Sequence, residues 1–217
     1  MNKMKQAGTL AALVGALCAT GTARADGLFA APQYYLGVHA GATNGDGTAY
    51  ESLSNYFSIA GDKQRTNLGV LAGVNFRNGA WLYGVEADYG HMGDQEIESC
   101  VGGGAPYTRL CETKSNYHLR ARVGYRVNNI DLFVTGGFAG TKARIYVPDY
   151  GPNAFEDKTL NGYTIGAGAD ITIGEHGMLR LEALKDKYDG KAYSVDNYYG
   201  VSDWEDLTVR AAAIFTF

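Results

Sequence analysis

The stretch LRARVGYR, residues 119–126, alternates two kinds of side chain without a break. Three of its four even-numbered positions are arginines, Arg120, Arg122 and Arg126, whereas its odd-numbered positions are apolar or aromatic. Because successive side chains of a β-strand point to opposite faces, the three guanidinium groups of such a strand share one face. Whether that face meets water, a nucleic acid or an enclosed interior decides the fold.

The same two-residue period recurs in eight segments of roughly 9 to 11 residues, the length of a tilted membrane-spanning strand. The segments begin near Tyr34, Asn67, Trp81, Tyr117, Ile130, Tyr163, Leu179 and Leu207. All four prolines fall outside these segments, as the hydrogen-bond ladder of a sheet requires. After residue 25, no apolar run approaches the roughly 18 residues of a membrane-spanning helix. We therefore predict a single all-β domain.

The connections between the segments alternate in length. Residues that tolerate positive φ occupy the predicted short turns, which lie at Asn78-Gly79, at Asn128-Asn129 and at 174–177. The predicted long connections are 43–66, 91–116, 142–159 and 186–206. Short and long connections in alternation are typical of an eight-stranded antiparallel up-and-down transmembrane β-barrel.

The short turns also predict how neighbouring strands align. The predicted pairs are Phe76 with Trp81 across the first turn and Val127 with Ile130 across the second. If Tyr89 pairs with Tyr117 across a long connection, Glu86 lies directly opposite Arg120. Each alignment keeps apolar side chains opposite one another, and a slip of one residue would invert every side chain.

The strand face opposite the apolar one carries both charges and many glycines. Glycine weakens a strand that merely faces water. The interior of an eight-stranded barrel is only wide enough to be filled by side chains, so long arginines there need small neighbours. We therefore expect apolar side chains to face lipid and charged ones to pair inside, since an unpaired buried charge is costly. The predicted interior network is Glu86, Asp88, Arg120, Arg122, Asp170, Arg180, Glu182 and Arg210.

Residues 1–25 have the pattern of a secretory signal peptide. Lys3 and Lys5 precede a small-apolar run, and Ala23-Arg24-Ala25 forms an A-x-A cleavage pattern. The expected barrel domain is then 26–217, with 16 basic residues, 23 acidic residues and a net charge of −7. This acidic balance argues against a nucleic-acid partner, because binding phosphates needs an excess of clustered positive charge.

Several stretches resemble a known group of proteins in order and spacing. These are WLYGVEADYG (81–90), LRARVGYR (119–126), LFVTGGFAG (132–140), GYTIGAGADITI (162–173), LRLEALKDKYDG (179–190) and AAAIFTF (211–217). They resemble the small outer-membrane β-barrel surface proteins related to the OmpA transmembrane domain and OmpX, especially opacity-type and porin-like surface antigens. The resemblance implies an outer-membrane location and envelope or host contact, and some relatives are called porins or haem binders. Phe215 and Phe217 look like the signal that the barrel-assembly machinery recognises.

Two features of the predicted long connections are candidate sites. Cys100 and Cys111 lie in the same connection, and in an oxidising compartment we expect them to form a disulfide. The connection 186–206 is rich in acidic and aromatic residues, which suit contact with a protein, a cation or a glycan. Its candidate recognition residues are Tyr188, Tyr193, Tyr198, Tyr199 and Trp204.

The sequence favours a structural or surface-interaction role in the outer membrane, with membrane lipid, the assembly machinery and a surface or host ligand as expected partners. No motif links any of the four histidines to a serine, so we expect no enzymatic activity, and we expect no cofactor or metal. The interior charges leave two interpretations open. They form either a static polar core that closes the barrel or a gated, porin-like channel in which charged groups exchange partners.

Overall fold

The computed structural model describes residues 31–51, 55–60, 64–93, 110–146, 155–192 and 199–217. The predicted signal peptide therefore lies outside the described residues. The described part of the chain forms nine strands: β1 (Gln33–Glu51), β2 (Asn55–Ala60), β3 (Arg65–Asn78), β4 (Trp81–Met92), β5 (Leu110–Val127), β6 (Ile130–Tyr146), β7 (Phe155–Ile173), β8 (Gly177–Ala192) and β9 (Tyr199–Thr216).

Every pair of neighbouring strands is antiparallel, and pairing of β1 with β9 closes the sheet into a barrel. β2 and β3 both pair with β1, β2 along its second half and β3 along its first half. They therefore occupy one position in the sheet, and the barrel has eight strand positions. The predicted eight-stranded up-and-down barrel is confirmed.

The strands are longer than the sequence pattern indicated. β1 and β7 each have 19 residues and β5 has 18, so strands occupy large parts of the predicted long connections. β8 extends to Ala192 and β9 begins at Tyr199, so most of the connection predicted at 186–206 belongs to strands. The prediction was wrong here because the added strand ends lack strict alternation of apolar and polar residues. An apolar outer face is needed only where a strand crosses lipid.

The register is as predicted at one turn and shifted at another. Val127 pairs with Ile130, and the φ of Asn128 is +58°. At the first turn, Asn78 rather than Phe76 pairs with Trp81, because the turn residues are Gly79 and Ala80. The predicted alignment was therefore displaced by two residues. A two-residue shift keeps every side chain on its face, which is why the pattern of apolar pairs could not reveal it.

The two faces of the strands point as the alternation predicted. Val134 and Leu181 on the outer face are each 61% exposed, whereas Arg120 and Arg180 on the inner face are each 1% exposed. Apolar side chains thus cover the outside of the barrel and charged ones fill its centre. None of the described residues belongs to a helix that is long and apolar enough to cross a membrane.

The interior also contains an apolar layer that the sequence pattern did not indicate. Tyr35, Leu71, Met178, Ala212 and Ile214 form one buried cluster. The end of the barrel that carries the short turns is here called the short-turn end. Met178 lies one inward position nearer to this end than Arg180 does on β8, and Ile214 lies one inward position nearer to it than Ala212 does on β9. The apolar layer therefore lies on the short-turn side of Arg180 along β1, β3, β8 and β9, whereas on β6 the buried Asp131 accepts hydrogen bonds from Arg77 and Arg126 at the short-turn end.

Candidate functional site

The eight charged residues of the predicted interior network all lie inside the barrel. They come from β4, β5, β7, β8 and β9, and the most exposed of them, Asp88, is 6% exposed. Alternation places them there, because each occupies an inward position of its strand. The structure brings them into contact through the ion pairs described below.

Glu86 lies at the centre of the network. Arg120 and Arg180 each donate a short hydrogen bond to one of its carboxylate oxygens. The Tyr35 hydroxyl donates to Glu86 Oε2 at 2.7 Å, and Arg122 Nη1 lies 3.7 Å from the same oxygen. Glu86 therefore joins β1, β4, β5 and β8 through one side chain.

Asp88 and Glu182 form the part of the network farther from the short turns. Arg120 donates to Glu182 Oε1 at 2.8 Å and to Asp88 Oδ2 at 2.9 Å. Arg210 donates from Nη1 to Asp88 Oδ1 and from Nε to Glu182 Oε2, both at 2.9 Å. Two arginines thus bridge two carboxylates that lie on different strands.

Asp170 forms the part nearer the short turns. Arg180 Nε donates to it at 2.6 Å, and Arg122 Nη2 donates at 2.5 Å. Both guanidinium groups also lie over the ring of Phe133, at 3.9 Å for Arg122 and 5.0 Å for Arg180. A cation over an aromatic face is attracted to it, so the ring of Phe133 stabilises both guanidinium groups.

Glycines make room for these long side chains. A Cβ atom added to Gly84 would lie 2.5 Å from Asn75 Oδ1 and 3.0 Å from Arg122 Cγ. A Cβ atom added to Gly41 would lie 2.5 Å from the Arg210 Cβ. The inward glycines therefore fit the sequence argument that long charged residues need small neighbours.

His118 belongs to the network although the sequence argument did not place it there. Its Nδ1 lies 2.8 Å from Asp88 Oδ1, and its Nε2 lies 3.1 Å from Asp186 Oδ2. With a carboxylate at each ring nitrogen, the geometry fits an imidazolium that donates twice. The signal was present in the sequence, because His118 has the same parity as Arg120.

The barrel end opposite the short turns holds a further polar cluster. Arg65 Nη2 donates to Asp206 Oδ1 at 2.7 Å, and the Trp204 indole donates to the same oxygen at 2.9 Å. The Tyr188 hydroxyl donates to Asp186 Oδ2 at 3.1 Å. These bonds extend the polar interior beyond the charged centre.

This cluster corrects two of the predicted recognition residues. Tyr188 is 1% exposed and Trp204 is 5% exposed, so neither ring is available to a surface ligand. The prediction was wrong because both residues occupy inward positions of β8 and β9, which continue into the region taken for a loop. Tyr193 and Tyr198 lie outside the described residues, and so does the side chain of Tyr199.

The expected disulfide cannot be placed, because Cys100 and the side chain of Cys111 lie outside the described residues.

Phe215 and Phe217 lie on the outer face near the short turns, 57% and 58% exposed, with ring centroids 6.4 Å apart. Tyr34 stacks on Phe217 at a centroid distance of 6.4 Å. Such rings favour a membrane interface.

The central network is balanced in charge, with four guanidinium groups and four carboxylates. Each of these groups has at least one oppositely charged partner within 3 Å. These paired groups occupy the centre of the barrel between β4, β5, β7, β8 and β9. Within the described ranges, no group of three or more His, Cys, Asp or Glu residues is arranged to hold a metal ion.

Comparisons with known proteins agree with this architecture. Residues 9–213 match the family model described as the outer membrane protein beta-barrel domain. The chain is 35% identical over 130 residues to a 22 kDa outer membrane protein of Rhizobium leguminosarum bv. viciae, covering 59% of this chain and 55% of the relative. It is 29% identical over 170 residues to the 25 kDa outer-membrane immunogenic protein of Brucella abortus biovar 1, covering 76% of this chain and 71% of the relative.

A solved structure, that of a major outer membrane protein from Thermus thermophilus, is similar in fold. The TM-score is 0.51 at 14% sequence identity, and the match covers 87% of this chain and 100% of that one. Among outer-membrane barrels, short turns face the periplasm and longer connections face outward. The lipid-facing barrel, its polar interior and the family match together establish that the chain belongs to the outer membrane protein β-barrel domain family and resides in the outer membrane.

Proposed function

We propose that this protein is a closed outer-membrane barrel that strengthens the envelope and makes surface contacts through its extracellular hairpin ends. The observation that supports a closed barrel is the network centred on Glu86, which links strands across the lumen. A buried charge that loses its partner costs several kcal/mol, so such a network resists opening.

Planar-bilayer recording tests the closed barrel. The refolded protein is expected to give no steady conductance steps, while a porin inserted in the same membrane shows that the assay works. Discrete steps that change in Glu86→Ala or Arg120→Ala would establish the porin-like channel instead.

Surface contact is tested by exchanging short segments at the two ends of the barrel. Replacing residues 193–198 with a Gly-Ser linker is expected to weaken binding to a panel of host-cell and extracellular-matrix surfaces. The matched control replaces the periplasmic turn 174–176 with a linker of the same kind and should bind like the native protein. Equal binding by both variants would refute the proposed role of the extracellular ends.

We also propose that the protein is not an enzyme. Three of its histidines are engaged by groups other than a hydroxyl. Arg210 lies next to His39, carboxylates flank His118, and His176 Nδ1 lies 2.9 Å from the main-chain oxygen of Thr216. Nucleophilic catalysis needs a base within hydrogen-bond reach of its nucleophile. Hydrolysis of a lipid or a peptide by purified protein, above a detergent blank, would overturn this proposal.

A further inference from the structure

His118 stands between two groups of interior side chains. One is the central network, and the other lies at the extracellular end of the barrel. The second group is here called the extracellular cluster and comprises Arg65, Asp186, Tyr188, Trp204 and Asp206. His118 contacts Asp88 of the network through Nδ1 at 2.8 Å and Asp186 of the cluster through Nε2 at 3.1 Å. In the described part of the chain, this side chain is the ion-pair link between the two groups.

The arginines of the interior are matched by carboxylates other than Asp186. The central network has four of each. In the extracellular cluster, Arg65 Nη2 lies 2.7 Å from Asp206 Oδ1. Asp131, at the opposite end of the barrel, is bound by two partly exposed arginines of its own. Among the described residues, no lysine or arginine forms an ion pair with Asp186, so a positive charge on His118 is what balances this carboxylate.

The geometry around His118 requires a proton on each ring nitrogen. The side chains of His118, Asp88 and Asp186 are fully enclosed, each with 0% exposure. A neutral imidazole has one N–H donor and one bare nitrogen, so it could donate to only one of the two carboxylates. The bare nitrogen would then face the other carboxylate in a region that excludes water. Asp186 would also lose its cation, and an unpaired buried charge costs several kcal/mol.

The charged and titratable groups that surround His118 permit this proton. They are Asp88 of β4, Arg120 of β5, Asp186 and Tyr188 of β8, Arg210 of β9 and, beside Arg210, His39 of β1. On β3, β6 and β7, the corresponding inward residues are Leu71, Ala139 and Thr164, none of which titrates. Arg120 and Arg210 oppose a further cation, but each donates to Asp88 at 2.9 Å and is also paired with Glu182.

We propose that His118 is a proton-operated latch. While its ring carries a proton, the latch holds the extracellular end of β8 to the centre of the barrel, and loss of the proton releases it. After release, Asp88 still has Arg120 and Arg210, whereas Asp186 has lost its ionic partner. The extracellular strand ends, to which the proposed function assigns surface contact, therefore become more mobile as the pH rises. The latch is tested without a surface ligand, so its failure is distinct from a failure of that function.

Nuclear magnetic resonance of the ring nitrogens tests whether His118 holds the proton. The native protein is labelled with ¹⁵N-histidine, refolded in detergent micelles and measured at about pH 8, where a histidine in water is neutral. Replacing each of the other three histidines in turn identifies the signals of His118. We expect both ring nitrogens of His118 to be protonated. In Asp186→Asn the carboxylate to be balanced is absent, so the ring should be neutral at the same pH.

The pH dependence of urea unfolding tests the coupling of this proton to stability. Above about pH 6.5 an unfolded histidine is mostly neutral, whereas the folded protein keeps the proton on His118. The unfolding equilibrium constant of the native protein should therefore rise roughly tenfold per pH unit above this value, until the folded protein also loses the proton. His118→Gln should lack this rise. The matched control is His91→Gln, because His91 is exposed on the outer face of β4, and it should keep the native dependence.

Hydrogen exchange tests whether the latch holds the extracellular strand ends. In His118→Gln at neutral pH, the amide protection factors of β8 from Asp186 to Ala192 should fall roughly tenfold, because local opening there has lost its ionic constraint. The protection of residues 178–182, which lie beside the central network, should remain within about twofold of the native value.

Three results would overturn the proposal. The first is a neutral His118 ring in the native protein at about pH 8, which needs no variant to fold. The second is a pH dependence of unfolding that persists in His118→Gln. The third is an equal loss of amide protection along the whole of β8, which would assign His118 a general structural role instead of a latch.

Discussion

Replacing Glu86 with glutamine removes the charge at the centre of the interior network and changes the shape of the side chain very little. The variant leaves Arg120 and Arg180 without one carboxylate partner each, and it turns an amide NH2 toward a cation. The Tyr35 hydroxyl also loses an ionised acceptor. The remaining network then has one excess positive charge in a region that excludes water.

The expected cost follows from the partners that remain. Removing one member of a buried ion pair typically costs about 3 to 5 kcal/mol. Arg120 keeps Asp88 and Glu182, and Arg180 keeps Asp170, so we expect the lower end of that range, about 3 kcal/mol. Adding Arg180→Met restores the charge balance. The double variant should therefore be more stable than the sum of the single changes predicts, by about 1 to 3 kcal/mol.

Urea unfolding of protein refolded in phosphatidylcholine vesicles measures these free energies. Tryptophan fluorescence follows the transition, because Trp81 is half exposed on the outer face and Trp204 is buried inside the barrel. A Glu86→Gln variant whose free energy of unfolding lies within about 1 kcal/mol of the native value would refute the argument that pairing of the interior charges sets the stability, because an ordinary exposed ion pair contributes about that much. Strict additivity of the two changes would refute it as well.

Three further outcomes are expected from thermal unfolding in vesicles. Gly73→Ala should lower the free energy of unfolding by about 1 to 3 kcal/mol, because its new Cβ would meet a tyrosine ring and lie 2.6 Å from a main-chain oxygen. Gly136→Ala should be tolerated, because its new Cβ would have no neighbour nearer than 3.5 Å. His118→Leu should cost about 3 kcal/mol, since it leaves two buried carboxylates without their shared partner; full stability would contradict this. Asp157 lies near the extracellular end of β7, outside the membrane-spanning part of the strand. The hydrogen bond from Arg144 lowers the pKa of Asp157 from 3.8 to about 2. Because this pKa is lower in the folded protein than in the unfolded one, the stabilisation is present above pH 3.8 and is lost as pH falls through 2. Asp157→Asn should therefore lower the melting temperature at pH 7 but not at pH 2.

Local rules of strand geometry explain what could be predicted from the sequence. Alternation assigned the inner and outer faces, and the turn at 128–129 set the register of β5 and β6. The predicted opposition of Glu86 and Arg120 is found in the register of β4 and β5. Each of these features depends on residues that are close in sequence or on directly neighbouring strands.

The shift at the first turn and the length of the strands could not be predicted in this way. A two-residue shift preserves the alternation, so only the backbone conformation at Gly79, with φ of +59°, distinguishes the two alignments. The strand ends above the membrane have no lipid to face, so their composition does not separate strand from loop. For this reason the sequence pattern places Tyr188 and Trp204 at the surface, although they lie inside the barrel.

By itself the sequence determined a barrel with a lipid-facing side and a charged interior, because the two-residue period of a strand is written into the order of its residues. Only the tertiary structure decided which charges meet across the lumen. Arg180 and Glu86 are 94 residues apart, and Arg210 and Asp88 are 122 apart. Such partners depend on the number, tilt and stagger of the strands, which are properties of the closed barrel. The buried apolar cluster is likewise a product of closure, since Tyr35 and Leu71 come from the first strands of the barrel and Met178, Ala212 and Ile214 from the last two.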